Sequence, residues 1–143
     1  MQQLDELVAI TKVLRDSALL ELNNHIALET IQERNLADLD ARVHHEIQLR
    51  SETKTGLDST VDAAWSAWVR RERAGILREI ARIRALKLET EGRAKIALAK
   101  FSATEDLRSG AAVQRNARRQ KRRDENLEQL SMLHKMASRT PSG

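Results

Sequence analysis

The chain is interrupted once, at the ten residues Ser51-Glu52-Thr53-Lys54-Thr55-Gly56-Leu57-Asp58-Ser59-Thr60. Gly56 can adopt the left-handed conformation that ends a helix. Asp58 or Ser59 can cap a following helix, and Asp62 stands three residues after Ser59 in an approximate capping box. On both sides of this break apolar residues recur at helical spacing, and the single proline is at position 141, close to the C-terminal end of the sequence. The pattern predicts an all-α fold: a two-helix antiparallel coiled-coil hairpin with a longer C-terminal helix.

The expected bounds follow from where the helical spacing begins and ends. We expect one domain, with a first helix at about 3–52, a turn at about 53–60, a second helix at about 61–138 and a flexible tail at 139–143. Apolar residues three, four and seven apart mark one side of each helix. In the first helix they are Leu4, Leu7, Leu14, Ala18, Leu22, Ile26, Leu36, Leu39, Val43 and Ile47; in the second, Trp65, Trp68, Ile76, Ile80, Ile83, Leu86, Ala94, Ala97 and Phe101.

A pairing register can be estimated by centring the hairpin on Gly56. Thr11 is then expected opposite Phe101, and the polar Glu29 opposite Ile83, which predicts a weak middle. The first helix runs out of partners near Arg108, so residues 109–138 are expected to project by roughly 45 Å at ~1.5 Å per residue. Three glycines inside the second helix are expected to let the helices approach or bend, with a hinge as the alternative: Gly75, Gly92 and Gly110.

Composition limits the class of protein. About a third of the 143 residues are charged, and aromatic residues are limited to two tryptophans and one phenylalanine, which favours a narrow helical seam over a thick core. Without cysteine there is no disulfide or thiolate metal site. No apolar run reaches the ~20 residues of a membrane span, and the N-terminal residues lack the pattern of a secretory signal. We therefore expect a soluble cytoplasmic protein.

The strongest charge feature is the segment Arg115-Asn116-Ala117-Arg118-Arg119-Gln120-Lys121-Arg122-Arg123. It is either a solvated helix face, a docking site for an acidic protein surface, or a contact for nucleic-acid phosphates. No aromatic residue alternates with the basic ones, and three acidic residues follow directly, which argues against nucleic acid. Beyond them stands an apolar group that either contacts another protein or folds back onto the hairpin: Leu127, Leu130, Met132, Leu133 and Met136.

The remaining distinctive residues offer little chemistry. Trp65 and Trp68, three apart on one helix face, either lock the end of the seam or anchor another protein. The histidines show no metal-binding spacing, since His44 and His45 are adjacent and point about 100° apart on a helix. No phosphate loop, zinc motif or nucleophile elbow is present. We expect no enzymatic activity, no metal and no cofactor.

The chain resembles the FliJ family of flagellar type III export proteins, which has relatives in injectisomes. The resemblance lies in the unequal hairpin, the Leu-rich opening (Leu4, Leu7, Ile10, Leu14), the aromatic pair Trp65 and Trp68, and the basic-then-acidic segment from Arg118 to Leu127. The family is similar to the central-stalk gamma subunit of rotary ATPases. Its paired terminal ends enter the ring of the export ATPase hexamer and promote its assembly and activity, and other surfaces contact the membrane export gate and export chaperones.

Carried onto this chain, the resemblance implies two partner-binding sets. The ATPase-contact set is Leu7, Leu14, Arg118, Arg119, Arg122, Arg123 and Leu127; the export-gate set is Val43, Trp65, Trp68 and Ile76. The implied location is cytoplasmic, peripherally associated with the inner-membrane export apparatus and without direct insertion into the membrane. Nucleic acid is not an expected partner.

Two other functions remain open on the residues alone. A generic coiled-coil adaptor or homodimer requires only the same apolar stripes. A basic helical nucleic-acid-binding protein would use the arginines of the 115–123 segment. The resemblance also leaves the flagellar and injectisome branches undecided.

Overall fold

The computed structural model describes residues 2–53 and 59–139, all of them helical. Helix α1 spans Gln2–Thr53 and helix α2 spans Ser59–Arg139. Neither contains a proline, and both are rich in the strong helix formers Ala, Leu, Glu and Arg. The helices begin and end within two residues of the predicted bounds. Arg139, the first residue of the predicted tail, is the last residue of α2. The predicted turn at Gly56 and residues 140–143 of the predicted tail lie outside the described residues.

The predicted fold class is confirmed, because the two long helices pack against each other as an all-α hairpin. The estimated register is wrong by about three residues along α2. The Thr11 hydroxyl lies 2.9 Å from that of Thr104, rather than opposite Phe101, and Thr90 lies 2.9 Å from the Nδ1 atom of His25. Part of the offset has a visible cause. The buried and half-buried side chains of α1 include a row with alternating spacings of four and three: Leu4, Val8, Thr11, Arg15, Ala18, Leu22, His25, Glu29, Gln32, Leu36, Leu39 and Val43. In α2, Trp65 and Ile80 lie 15 residues apart, which is one residue more than two seven-residue repeats.

Contacts divide the chain into two compact units, the first made of residues 1–12 and 99–143 and the second of residues 13–98. The second unit holds most of the buried side chains. Its apolar core consists of Leu39, Ile80, Ile83 and Ala94, and Thr90 is fully buried beside them. Burying an isoleucine stabilises a fold by about 1.5–3 kcal/mol. Ile80 and Ile83 therefore supply a large part of the stability of this narrow seam.

The prediction that the middle of the hairpin is weakly packed is also wrong. Ile83 is only 1% exposed, because the shifted register moves Glu29 away from it. Glu29 instead accepts a hydrogen bond from the Lys87 ammonium at 3.1 Å and lies 3.6 Å from the Arg84 guanidinium. A polar residue of the α1 seam is thereby neutralised by cations of α2 while the isoleucines stay buried.

In the first unit the N-terminal part of α1 covers α2 further than expected. Val8, Thr11 and Thr104 are buried, and Arg108 lies 3.9 Å from the Asp5 carboxylate. Ala111, Ala112 and Arg115 are half-buried, whereas every residue from 116 to 139 is exposed. The projecting part of α2 therefore begins after Arg115, not at residue 109. We call residues 116–139 the α2 extension.

The glycines inside α2 do not mark a close approach of the helices. A Cβ atom added at Gly75, Gly92 or Gly110 would meet nothing within 4 Å. The expectation that these small residues let the helices approach is therefore wrong. Neither described helix contains a stretch that is both long and apolar enough to cross a bilayer.

Candidate interaction surfaces

A small cleft forms around the tryptophan pair in the second unit. Trp65 and Trp68 lie three residues apart on α2 and face Val43 of α1. With their neighbours they enclose about 200 Å³; the remaining lining residues are Leu39, Arg42, His45, Glu46 and Val69. We call this the Trp cleft. It brings together three of the four residues predicted to meet an export gate, while the half-buried Ile76 does not line it.

Two arginines of α1 hold the tryptophan rings. The Arg50 guanidinium lies 4.5 Å from the centroid of Trp65, and that of Arg42 lies 5.9 Å from the centroid of Trp68. Arg50 also forms an ion pair with Asp62. Cation–π contacts of this kind contribute about 0.5–1 kcal/mol at exposed sites. Sequence reasoning missed both arginines, although the antiparallel register places each of them near its tryptophan.

The two tryptophans differ in solvent exposure. Trp65 is half-buried under Arg50, whereas Trp68 is 38% exposed at the mouth of the cleft. Trp65 is packed at the end of the seam, whereas part of the Trp68 ring is accessible to solvent.

A second, larger cleft lies in the first unit. It is an open, mainly apolar groove of about 700 Å³ between the side chain of Leu4 and the surface of α2. The α2 residues that line it are Ala103, Asp106, Leu107, Gly110, Ala111 and Gln114. Leu7, which the resemblance places in the ATPase-contact set, is exposed and does not line this cleft. Leu4 was predicted as a seam residue only, and its role in forming a cleft follows from the small side chains opposite it.

The α2 extension carries most of the predicted ATPase-contact set. Arg118, Arg119, Arg122 and Arg123 are exposed on one continuous helix, and Leu127 is 64% exposed. Within residues 2–53 and 59–139, no ion pair involves any of these arginines. The extension also exposes Leu130, Met132, Leu133 and Met136, so the apolar group does not fold back onto the hairpin. The last member of the predicted set, Leu14, is exposed in the other compact unit.

One ion pair within α2 shifts the pKa values of both its members. The hydrogen bond from Arg82 holds the pKa of the Glu79 carboxyl below its usual value, and the same contact raises the pKa of Arg82. This pair is a solvent-exposed contact within one helix turn. Among the described residues, no three histidine, aspartate or glutamate side chains lie close enough together to hold a metal ion.

Comparison with known proteins adds no further assignment. The chain matches no protein-family model, no curated protein and no solved structure.

Proposed function

We propose that this chain is a non-enzymatic stalk or adaptor of a type III protein export apparatus. In this proposal the α2 extension enters the ring of the export ATPase, promoting its assembly and activity. The observation that carries the proposal is the extension itself, a helix from residue 116 to 139 that exposes both arginines and large apolar side chains. Exposed apolar groups of this kind mark contact surfaces for other proteins.

Physical considerations favour a partner for this segment. The extension packs no apolar face against the described hairpin, whereas most helical stability in proteins comes from packing an apolar face. A ring that surrounds the extension would bury Leu127, Leu130 and Leu133 and would order the helix at the same time. The arginines would meet acidic groups of the ring through charge-assisted hydrogen bonds.

The Trp cleft is the proposed contact for the export gate. Aromatic anchors beside arginine are enriched at binding hot spots, and Trp68 and Arg42 stand together at the mouth of this cleft. Export chaperones are the remaining proposed partners, and the protein would associate peripherally with the inner-membrane apparatus.

The test is to mix the purified protein with a cognate export ATPase and to measure ATP hydrolysis and oligomer size. We expect a several-fold rise in hydrolysis and a shift of the ATPase toward hexamers. A variant with Arg118→Ala, Arg119→Ala and Arg122→Ala should lose both effects. The matched control removes three other exposed arginines of α2 and should behave like the unmodified protein: Arg70→Ala, Arg71→Ala and Arg78→Ala.

Two results would overturn the proposal. The first is that the unmodified protein neither stimulates the ATPase nor co-elutes with it. The second is that the two triple variants lose stimulation equally, because the effect would then reflect overall charge and not the α2 extension.

A further inference from the structure

The side of α2 that packs against α1 in the first unit continues along the α2 extension. Viewed down the helix axis, at about 100° per residue, the buried and half-buried α2 residues of this unit all point within about 80° of Arg115; the others are Phe101, Thr104, Glu105, Ala111 and Ala112. The residues of the extension that point within about 60° of the same direction form one side of the helix. We call them the seam side of the extension: Arg118, Arg119, Arg122, Asn126, Gln129, Leu130, Leu133, Met136 and Ala137.

The seam side changes from basic to apolar along its length. Its arginines come first, two uncharged amides follow, and its large apolar side chains come last. The acidic residues of the extension point elsewhere, because Asp124 and Glu128 lie about 180° and 140° around the helix from Arg115 and Glu125 lies about 80° from it. The carboxylates that follow the basic segment in the sequence therefore do not lie between its arginines and a partner on the seam side.

Along the hairpin, several cations of α2 beside the seam pair with carboxylates of α1. The pairs are Lys87–Glu29 at 3.1 Å, Arg93–Glu21 at 3.0 Å and Arg84–Glu33 at 3.2 Å in the second unit, and Arg108–Asp5 at 3.9 Å in the first. The arginines of the seam side have no such partner among the described residues. The Nε atom of Arg115 is buried without a hydrogen bond to any of these residues, and a buried N–H group without an acceptor costs free energy. The extension therefore lacks the carboxylates that α1 supplies to the rest of α2.

We infer that the seam side of the α2 extension binds an amphipathic α-helix of another protein, which takes the place that α1 has along the hairpin. Carboxylates in one half of this helix accept charge-assisted hydrogen bonds from Arg118, Arg119 and Arg122. Apolar side chains in its other half cover Leu130 and Leu133. The partner is a helix because the same side of α2 already packs against one, and side chains three and four apart form ridges that fit another helix.

The apolar half of the seam side favours a protein partner over a nucleic acid. Leu130, Leu133 and Met136 are 62%, 62% and 68% exposed, and a phosphate backbone would leave them uncovered. The extension contains no aromatic residue on which bases could stack. The inference does not rest on the stalk function, because it requires only a helix of this chemistry, whichever protein supplies it.

The test uses a labelled synthetic peptide and the full chain, without any ATPase. From Arg115 to Met136 the seam side is about 32 Å long, so the probe is a helix of about 20 residues. It carries glutamates at spacings of three and four in one half and leucines at the same spacings in the other. The probe is made with its glutamates in either half, so that both directions of the partner helix are covered.

A control peptide has glutamine in place of each glutamate of the probe. Fluorescence anisotropy should show that the better acidic peptide binds the chain at least about tenfold more tightly than its glutamine control, and that salt weakens the binding because ion pairs are screened.

Matched charge variants test which side of the extension binds. Arg119→Gln with Arg122→Gln removes two charges from the seam side, whereas Lys121→Gln with Lys135→Gln removes two from the far side. The first variant should weaken binding of the acidic peptide about tenfold, because it removes charge-assisted hydrogen bonds, and the second less than about twofold. All four side chains are exposed, so the melting temperature of the hairpin should stay the same.

Two leucines provide a matched apolar pair. Leu133 and Leu127 are 62% and 64% exposed, but Leu127 points about 120° away from Arg115, outside the seam side. Leu133→Gln should therefore weaken binding of the peptide several-fold, whereas Leu127→Gln should leave it unchanged.

The inference fails if neither acidic peptide binds the unmodified chain at any soluble concentration, or if the seam-side and far-side variants lose binding equally. It also fails if short duplex DNA binds as tightly as the peptide and Leu133→Gln leaves the DNA affinity unchanged, because the arginines would then form a general polyanion site. A dimer in sedimentation that Arg119→Gln with Arg122→Gln dissociates would overturn it as well, since the occupant would be a second copy. None of these outcomes involves stimulation of an ATPase, so the two proposals fail separately.

Discussion

At the scale of single residues, the seam is held by threonines as well as by aliphatic side chains. Thr90 donates a hydrogen bond to the Leu86 carbonyl at 2.7 Å and lies against His25, and Thr104 similarly bonds the Phe101 carbonyl while facing Thr11. Buried hydroxyls are tolerated when they are hydrogen-bonded. A bond to the carbonyl one turn earlier satisfies each threonine before it meets the opposite helix. The apolar stripe could not reveal these positions, because threonine is neutral in hydropathy.

Ile83 is the side chain on which the second unit depends most. We expect Ile83→Ala to lower the free energy of unfolding by about 2–4 kcal/mol, because it leaves a cavity in a seam only one side chain deep. Leu88→Ala, at a 68% exposed position of the same helix, should cost less than about 0.5 kcal/mol. Urea denaturation followed by helical circular dichroism measures both. Equal losses in the two variants would contradict the burial seen here.

At the scale of the helices, α1 and α2 differ in the spacing of the residues that form the seam. The α1 seam keeps a regular alternation of spacings and tolerates Glu29 because Lys87 and Arg84 neutralise it. The α2 seam absorbs one extra residue before Ile80, so a register counted from the turn drifts along the hairpin. The isoleucines remain buried because their own spacing of four, three and seven continues to Thr90. The core of a helix pair can therefore remain buried although the residues that face each other differ from those counted from the turn.

The glycines of α2 give a direct test at this scale. Gly92→Ala should raise the free energy of unfolding by about 0.5–1 kcal/mol, since alanine loses less backbone entropy on folding and its Cβ would meet nothing within 4 Å. Gly110→Ala should do the same in the first unit. Thermal unfolding by circular dichroism provides the measurement. A fall in melting temperature would show that either position needs glycine for its backbone.

The hinge alternative for these glycines is tested by the same variants. If bending at Gly92 is needed for function, Gly92→Ala will be more stable than the unmodified chain and will lose stimulation of the export ATPase. If it is not needed, stability will rise and stimulation will stay the same. The two measurements thus separate a structural role from a functional one.

At the scale of the whole molecule, burial is unevenly distributed along the chain. Among the described residues, all that are buried lie between Val8 and Thr104, and the α2 extension contributes none. This division explains why the extension is the candidate for an external partner. Packing within the described hairpin therefore does not constrain the side chains of the extension.

Truncation tests this division. Deleting residues 116–143 should leave the melting temperature of dilute protein unchanged, because every residue from 116 to 139 is exposed. Deleting residues 101–143 should lower it by several degrees, since Phe101 and the buried Thr104 go with it. Differential scanning calorimetry distinguishes the two. A large loss in the shorter deletion would mean that the extension supports the hairpin.

The sequence by itself determined the two helices, their bounds to within two residues and their antiparallel pairing, because helical spacing and the lack of internal proline are local properties. It also located the basic segment and the apolar group that follows it. Only the tertiary structure decided the register, the burial of Ile83 beside a neutralised Glu29, the arginines stacked on Trp65 and Trp68, and the start of the free end after Arg115. These features depend on contacts between residues far apart in the chain, where one extra residue in a seam displaces every later pair.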